Sequence, residues 1–359
     1  MFRWIFDVHF GDKIVSTEID VLVIGSGVAG AMALARAKER GLRAYGISRS
    51  VGATGYSSGA IDWGEISDSA FKLFQKLTTH LNYTPVHWVA TQVGTVRRCL
   101  AAQASQAFDL SSTGAGDLLG ILEFSGLSCF KSAPVADMLN SQGYHAVPIS
   151  IEGGAAQTFL EFARKFENPD FLDACLESIS DAVAEHSVRF KHVFLPAVLG
   201  LSSPWIFLKS LEMRTGVGFS ELLGLSHSVP GLRLGQILSQ GFISGTVTHF
   251  KREDKKITQV ELSTGEILEP AHIILATGRF LSGGFAKRES VFGLPLVGEE
   301  RFKMGLAYDA SQRPLGDFGE LFAENLFAAG SSLGGYDPGS EGGMGVAIQT
   351  GYRAGDLCS

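Results

Sequence analysis

Residues 19–41 read IDVLVIGSGVAGAMALARAKERG, and this stretch decides the fold. Residues 19–24 are apolar except for Asp20, which is typical of a buried parallel strand. Gly25, Gly27 and Gly30 follow at once in the G-x-G-x-x-G spacing. An amphipathic helical pattern comes next, so the stretch predicts a strand, a tight turn and a helix.

The glycine spacing is the fingerprint of a nucleotide-binding turn. The first glycine permits the tight turn, the second lets a pyrophosphate approach the backbone, and the third lets helix and strand pack closely. The positive helix N-terminus then faces the anion. An ordinary strand–turn–helix junction is the alternative. The predicted cofactor-binding residues of this turn are Gly25, Ser26, Gly27, Val28, Ala29 and Gly30.

Residues 42–48, after Gly41, predict the second strand of one β-strand–helix–β-strand unit. In a dinucleotide-binding unit this strand usually ends in an acidic residue that binds a ribose hydroxyl. The sequence instead has Ser48 and Arg49. Arg49 is therefore a candidate phosphate ligand, or the adenosine half is held differently or is absent, as in FMN. A solvated arginine at a strand end is the alternative.

The next segment, residues 51–64, reads VGATGYSSGAIDWG. In flavoproteins built on this unit, the segment after the second strand passes beside the isoalloxazine ring, where bulky side chains would clash. Glycine also lets backbone approach a ligand closely. We therefore predict that Thr54, Ser57, Ser58 and Gly59 contact a flavin; a flexible surface loop is the alternative.

A second glycine-rich stretch, residues 324–355, predicts a buried strand, a turn and a helix beginning near Gly343. That helix N-terminus could stabilise a reduced, anionic flavin. A terminal strand and helix that merely pack the sheet are the alternative. The predicted cofactor-binding residues of this C-terminal part are Gly278, Gly330, Asp337, Gly343, Met344 and Gly345.

The remaining patterns predict an α/β fold, with a Rossmann-like FAD/NAD(P)-binding domain, a β-meander and an inserted second α+β domain. We expect residues 17–65 plus 236–359 to form the flavin-binding domain and residues 66–235 the insertion. Alternation over 245–278 predicts three short meander strands followed by a buried strand. The predicted helices of the insertion cover about 68–81, 88–108, 155–166 and 170–185.

Composition excludes several classes of function. The net charge of −7, without a Lys/Arg run, argues against nucleic-acid binding. The four cysteines form no C-x-x-C pair and the nine histidines no close pair, so we expect reduced thiols and no metal site. No apolar run is long enough for a membrane span, and the N-terminus does not resemble a signal peptide. These features favour a cytoplasmic protein. No catalytic residue can be named.

Five segments together resemble one family. They are SSGAIDWG, FLPAVLGL, HSVPGLRLGQIL, ATGRFLSGGF and ENLFAAGSSLGGYDP. Over about residues 19–357 the chain resembles the B subunit of anaerobic glycerol-3-phosphate dehydrogenase, a flavoprotein of the fumarate reductase/succinate dehydrogenase-like class. The motifs SGGF and GSSLGGYDP carry the resemblance more specifically than the glycine fingerprint does.

The resemblance implies non-covalent FAD or FMN; the B subunit of this family is usually described as carrying FMN. It implies a catalytic, FAD-containing A subunit and an iron–sulfur, membrane-anchoring C subunit as partners. The complex would oxidise sn-glycerol 3-phosphate to dihydroxyacetone phosphate and pass electrons towards quinone. This chain would then be cytoplasmic, or peripheral on the cytoplasmic face of the inner membrane through a partner.

Two departures from the family pattern keep alternatives open. The chain is somewhat shorter than expected, and Arg279 follows the buried strand where the family has small residues. Arg279 could approach flavin or a substrate phosphate, or could point to solvent. The alternative functions are a non-catalytic flavin-binding scaffold or electron-relay subunit, and a standalone FAD-dependent dehydrogenase of a small substrate.

Overall fold

A computed structural model describes residues 17–62, 64–186, 189–225, 228–285, 292–298, 303–337 and 343–358. The strands are β1 (Thr17–Ile24), β2 (Ala44–Ser48), β3 (Ile61–Asp62), β4 (Thr84–Pro85), β5 (Trp88–Ala90), β6 (Val96–Ala102), β7 (Leu118–Phe124), β8 (His145–Ile151), β9 (His192–Leu195), β10 (Gly218–Glu221), β11 (Phe242–Ser244), β12 (Val247–Glu253), β13 (Lys256–Leu262), β14 (Ile267–Leu275), β15 (Leu296–Val297), β16 (Gly305–Leu306) and β17 (Leu326–Ala328). The α-helices are α1 (Val28–Glu39), α2 (Asp68–Leu77), α3 (Ser132–Ser141), α4 (Phe159–Lys165), α5 (Pro169–Ala184), α6 (Pro204–Thr215), α7 (Val229–Leu238) and α8 (Gly343–Leu357).

The predicted strand–helix–strand unit is confirmed by β1, α1 and β2. The two strands are parallel neighbours, with Val21 beside Ala44 and Ile24 beside Ile47. Val21, Leu22 and Val23 are completely buried, which explains the apolar residues of positions 21–24. A parallel pair needs a crossover connection, and α1 supplies it.

The chain divides into two compact units. The first comprises Met1–Ala53, Gly64–Leu77 and Gly235–Ser359, and the second comprises Thr54–Trp63 and Thr78–Leu234. The domain limits expected from the sequence stay a prediction; the grouping of residues 64–77 with the first unit is an observation of the structure.

The first unit is built on a sheet in the order β11-β2-β1-β14-β13-β12, with β17 beside β14. β11, β2, β1, β14 and β17 are mutually parallel, and β12, β13 and β14 form the antiparallel meander. The α/β, Rossmann-like prediction is therefore confirmed. The third meander strand and the buried strand were predicted as separate, but they form one continuous strand, β14. Only the second half of β14 pairs with β17.

The second unit contains a parallel sheet in the order β10-β9-β7-β8 and a small antiparallel sheet formed by β3, β4, β5 and β6. The core of the parallel sheet is rich in phenylalanine: Phe124, Phe162 and Phe166 pack together at ring distances of 4.7 to 6.0 Å. No described helix has the length and apolar character needed to cross a membrane.

The helix predicted over residues 88–108 is wrong. These residues contain β5 and β6, which pair as a hairpin with Trp88 beside Arg98. The turn between the strands places Gly94 at φ +78°, a conformation that favours glycine. The threonines and valines of residues 88–108 suit strands better than a helix. The turn at Gly94 and the pairing of β5 with β6 therefore override the helical spacing of the apolar residues.

Candidate functional site

The fingerprint turn packs so tightly that two of its glycines are required for packing within the protein, whether or not a ligand is bound. Gly25 has φ +110°, and a methyl group added there would lie 2.3 Å from the carbonyl oxygen of Ala276. A methyl group at Gly30 would lie 1.7 Å from the carbonyl oxygen of Gly25. These two positions therefore secure the contact between α1, the turn and the neighbouring strand end.

Gly27 differs from the other two glycines of the fingerprint. It caps α1 with φ −66°, a conformation open to any residue. Glycine has no side chain that could cap the helix, and the first turn of α1 contains no acidic residue. The first N–H groups of a helix have no intrahelical partner, so this end suits an anion. Val28 and Ala29, the first two residues of α1, are buried.

Serine hydroxyls occupy the end of β2, where an acidic residue would be usual. The buried Ser26 hydroxyl lies 2.8 Å from the Ser48 hydroxyl and 3.1 Å from the Ser50 carbonyl, and the Ser48 hydroxyl donates to the same carbonyl at 2.8 Å. The turn and the end of β2 are thereby held together without a charge. Arg49, next along the chain, is exposed.

The segment with Thr54, Ser57, Ser58 and Gly59 belongs to the second unit and is well packed there. Thr54 is 8% exposed, and the Ser57 hydroxyl donates to the Thr54 carbonyl at 2.8 Å. A methyl group at Gly231, in the first turn of α7, would lie 2.3 Å from the Ser57 carbonyl. The approach of α7 thus accounts for the close packing of the segment, and its contact with a flavin stays a prediction.

In the first unit, α8 lies against α1 through glycines. A methyl group at Gly351 would lie 2.3 Å from the Ala29 carbonyl, and one at Gly355 would lie 2.6 Å from the Ala33 carbonyl. Both residue numbers rise by four from one contact to the next. The two helices are therefore parallel, and their N-termini point the same way.

The two N-termini are staggered along this shared direction. Gly343 precedes Gly351 by eight residues, which corresponds to about 12 Å of helix. α8 therefore begins well before the level at which α1 begins. Met344 is 7% exposed, and a methyl group added at Gly345 would lie 3.5 Å from the Ile66 side chain. The predicted helix is confirmed from Gly343 onward.

The turns after β14 and β17 are fixed by side-chain hydroxyls. The Gly278 amide donates to Ser332 Oγ at 3.1 Å, and the Gly330 amide donates to Thr350 Oγ1 at 2.8 Å. Gly330 has φ +67° and packs against Ala29. The turn after β17 thus lies beside the first turn of α1, although Ser332 and Thr350 were not identified from the sequence.

Arg279 holds the glycine-rich turn that follows β17. It is 9% exposed, and its Nε donates to the Ser331 carbonyl at 2.6 Å. Its Nη2 donates to the carbonyls of Leu333 and Tyr336 at 2.7 and 2.9 Å. The solvent-facing alternative is therefore wrong, because burial and backbone acceptors fix the guanidinium inside the unit.

The residues next to this turn carry further polar groups. The Arg279 guanidinium also lies over the Tyr336 ring, 5.1 Å from the ring centroid. Burial raises the pKa of Tyr336, so the phenol stays protonated. Its Oη is buried without a hydrogen-bond partner among the described residues. Burial lowers the pKa of Arg279, and the half-buried Asp337 carboxylate acts against that effect.

A buried ion pair in the second unit includes an arginine of one of the motif segments that carry the resemblance. Arg233 donates to both carboxylate oxygens of Glu221, at 2.5 and 2.9 Å, and both side chains are 0% exposed. Arg233 Nε also donates to the carbonyl of Gly200, which belongs to a second motif segment, at 2.7 Å. The signal in the sequence was a single arginine inside an apolar helical stretch, which predicts a buried partner.

The described residues contain no group of three or more His, Cys, Asp or Glu side chains that could hold a metal ion. The predicted cofactor residues of the first unit gather around two turns and two helix starts. This arrangement can bind the phosphate of a nucleotide and place a second positive helix end further along it.

Known proteins give relatives over almost the whole chain. It is 27% identical to the B subunit of anaerobic glycerol-3-phosphate dehydrogenase from Pectobacterium atrosepticum, over 412 aligned positions that cover 92% of this chain and 96% of that protein. The corresponding B subunit of Vibrio cholerae (El Tor Inaba N16961) is 24% identical, with 93% and 95% covered. The resemblance seen in the motifs is confirmed.

Other comparisons are more distant. No family model matches the chain. Among solved structures, a GidA-related protein of Thermus thermophilus is 10% identical with a TM-score of 0.37, covering 94% of this chain and 97% of that one. A 3-ketosteroid-Δ4-(5α)-dehydrogenase of Rhodococcus jostii is 12% identical with a TM-score of 0.38, covering 95% and 97%.

Proposed function

We propose that this chain is a flavin-binding subunit of a dehydrogenase that oxidises sn-glycerol 3-phosphate to dihydroxyacetone phosphate and passes electrons towards quinone. One observation carries the proposal. A helix that begins directly at the glycine fingerprint, with no acidic residue in its first turn, lies in a chain that aligns with a B-subunit relative over 92% of its length. The relatives' names supply the substrate, and the helix start supplies the anion site.

The residues of the first unit fit a flavin nucleotide. The amides from Gly27 to Gly30 would bind its phosphate, with Ser26 orienting the turn. The start of α8, at 343–345, would stabilise negative charge on the reduced ring. A bound flavin supplies two-electron transfer. Arg49 would meet a phosphate from its exposed position.

Partners follow from the same proposal. The relatives are named as B subunits, so this chain would assemble with a catalytic A subunit and an iron–sulfur C subunit. It would act in the cytoplasm and reach a membrane through the C subunit. Its flavin would relay electrons when substrate is oxidised on the A subunit, and would accept them directly if this chain binds substrate.

The first experiment is the anaerobic visible spectrum of the purified chain, with mass spectrometry of the released nucleotide. A flavin band that bleaches on addition of glycerol 3-phosphate assigns a substrate site to this chain. A band that bleaches only after the A subunit is added supports a relay role. Bleaching by a small dicarboxylate or steroid would support a standalone dehydrogenase. Absence of flavin in the chain and in the assembled complex would overturn the proposal.

Gly27→Val is the sharpest variant, because its backbone conformation tolerates valine while a side chain there would obstruct the close approach of a pyrophosphate to the helix start. We expect loss of the flavin with an unchanged circular dichroism spectrum. Gly116→Val is the matched control, since no described atom lies within 4 Å of the added position. Unchanged flavin content in the Gly27 variant would contradict the assigned phosphate site.

A further inference from the structure

The second unit contains a cavity of about 410 Å³ that the flavin proposal does not use. Small-molecule sites occupy about 300–1,000 Å³, so the cavity has the size of a real ligand site. Most of its lining residues have polar side chains, although more of the lining surface is apolar than polar, and they come mainly from two separate segments. The lining residues include Thr79, His80, Asn82, Ser202, Ser203 and Trp205.

One wall is a single helical turn with a fixed backbone. The Leu81 amide donates to the Thr78 carbonyl at 2.8 Å, and the Asn82 amide donates to the Thr79 carbonyl at 3.2 Å. Asn82 ends the turn at φ +46°, the left-handed conformation that asparagine adopts more readily than most residues. The side-chain amide of Asn82 offers both donors and an acceptor at the rim.

The other wall is the start of α6. Glu167 fixes it by accepting from the Leu201 amide at 2.7 Å and from the Ser202 hydroxyl at 3.2 Å. Since the Ser202 proton is used, its oxygen remains an acceptor for a ligand hydroxyl. Ser203 occupies the N-cap position, but within the described part of the chain its side chain makes no capping hydrogen bond.

Trp205 is the aromatic part of the lining. It is 46% exposed, whereas the buried side of the same helix is formed by Phe207, Leu208 and Leu211. The indole therefore adds little to the core. A large aromatic side chain left at a cavity rim is suited to bind a ligand through its face and its N–H group.

We propose that this cavity binds a neutral carbohydrate ring. The lining supplies hydroxyl and amide groups that can donate and accept hydrogen bonds, beside one aromatic surface for the C–H face of a sugar. Among the described residues the lining contains no carboxylate, lysine or arginine, so a charged ligand has no counter-ion there, and His80 is its single titratable group. Both walls are held by hydrogen bonds to backbone groups, and the site is preformed.

The test is saturation-transfer NMR on the full chain with glucose, maltose and trehalose, followed by calorimetry of the strongest binder. We expect a millimolar dissociation constant for at least one sugar. Trp205→Ala should weaken that binding about tenfold, the effect of losing a central aromatic contact. Asn82→Ala and Ser203→Ala should each weaken it by a smaller factor.

Trp88→Ala is the matched control, since Trp88 is 42% exposed and does not line the cavity. It should bind the sugar as the native chain does. Circular dichroism confirms that each variant is folded. The proposal is overturned if none of the three sugars shows saturation transfer, or if Trp205→Ala binds as tightly as the native chain.

Discussion

Each of the two units buries an arginine, and the two guanidiniums are satisfied in different ways. Arg233 in the second unit faces a carboxylate, Glu221, at 2.5 and 2.9 Å. Arg279 in the first unit donates to three backbone carbonyls, and the charge of Asp337 acts on it in addition. Arg233 therefore joins two elements through an ion pair. Arg279 instead holds a turn in place through hydrogen bonds from its planar guanidinium to backbone carbonyls.

The difference matters because the two arrangements fail differently. Removing one member of a buried ion pair leaves the other charge in an apolar interior. Removing a guanidinium that binds carbonyls leaves neutral acceptors without donors, which costs less for each group. The second unit should therefore be more sensitive to a change of charge, and the first to a change of side-chain geometry.

The largest effect is expected from Glu221→Gln. The variant keeps the shape of Glu221 but leaves the Arg233 charge without its counter-ion. We expect the free energy of unfolding to fall by about 3–5 kcal/mol, as measured by urea denaturation. A loss well under 1 kcal/mol would contradict the assigned role of the pair.

A double variant separates charge from shape. Glu221→Leu with Arg233→Met removes both charges, so its loss should be clearly smaller than the sum of the two single losses. Part of the loss remains, because Ser105 and Leu199 also donate to Glu221. Lys76→Met, which removes an exposed partner of Glu39, is the control and should change little.

The next effect is expected from Arg279→Lys. Lysine keeps the charge but cannot reproduce the planar fork that reaches three carbonyls. We expect a loss of about 2 kcal/mol in the free energy of unfolding. Arg214→Lys, at an exposed position of α6, should leave stability unchanged. Equal stability of the two variants would mean that charge alone holds the turn.

The effect that is smallest at neutral pH concerns a buried histidine whose described partners include no anion. His192 is 6% exposed, stacks on Phe108 at 3.7 Å and hydrogen-bonds Ser220 Oγ at 2.8 Å. Burial lowers the pKa of His192 to about 3 from its ordinary value of 6.5. Between these values the unfolded chain binds one more proton at this site, so stability falls as the pH falls from 6.5 towards 3.

His192→Gln should remove this contribution. The slope of unfolding free energy against pH should become shallower by about 1.4 kcal/mol per pH unit in that window. His145→Gln, at an exposed position, should leave the slope as it is. Urea denaturation at a series of pH values measures both, and an unchanged slope in the His192 variant would show that His192 is protonated in the folded chain.

The sequence predicted what rests on local pattern. The unit from β1 to β2, the meander and the start of α8 follow from apolar runs, alternation and glycine spacing. Residues 88–108 could not be assigned in this way, because their apolar spacing also suits a helix. Only the Gly94 turn and the pairing of β5 with β6 decide for strands.

The sequence named candidate residues of the site, but it did not predict which groups their side chains contact. The glycine spacing predicted the fingerprint turn, but for Arg279 the sequence did not decide between contact with a ligand and exposure to solvent. Its acceptors lie 52 to 57 residues further along the chain, beyond the reach of any local pattern. The pair of Arg233 and Glu221 was missed for the same reason, although an arginine in an apolar helix is a visible signal.

The turn held by Arg279 has a consequence for motion. Residues 331–336 read SSLGGY, a composition that suggests a flexible linker. Yet the amides of Gly334 and Gly335 donate to the carbonyls of Leu306 and Lys303, at 3.0 and 3.1 Å. A local opening would have to break these bonds and the bonds to the guanidinium together. The amide hydrogens of this glycine-rich turn should therefore exchange with deuterium as slowly as those of the neighbouring strands.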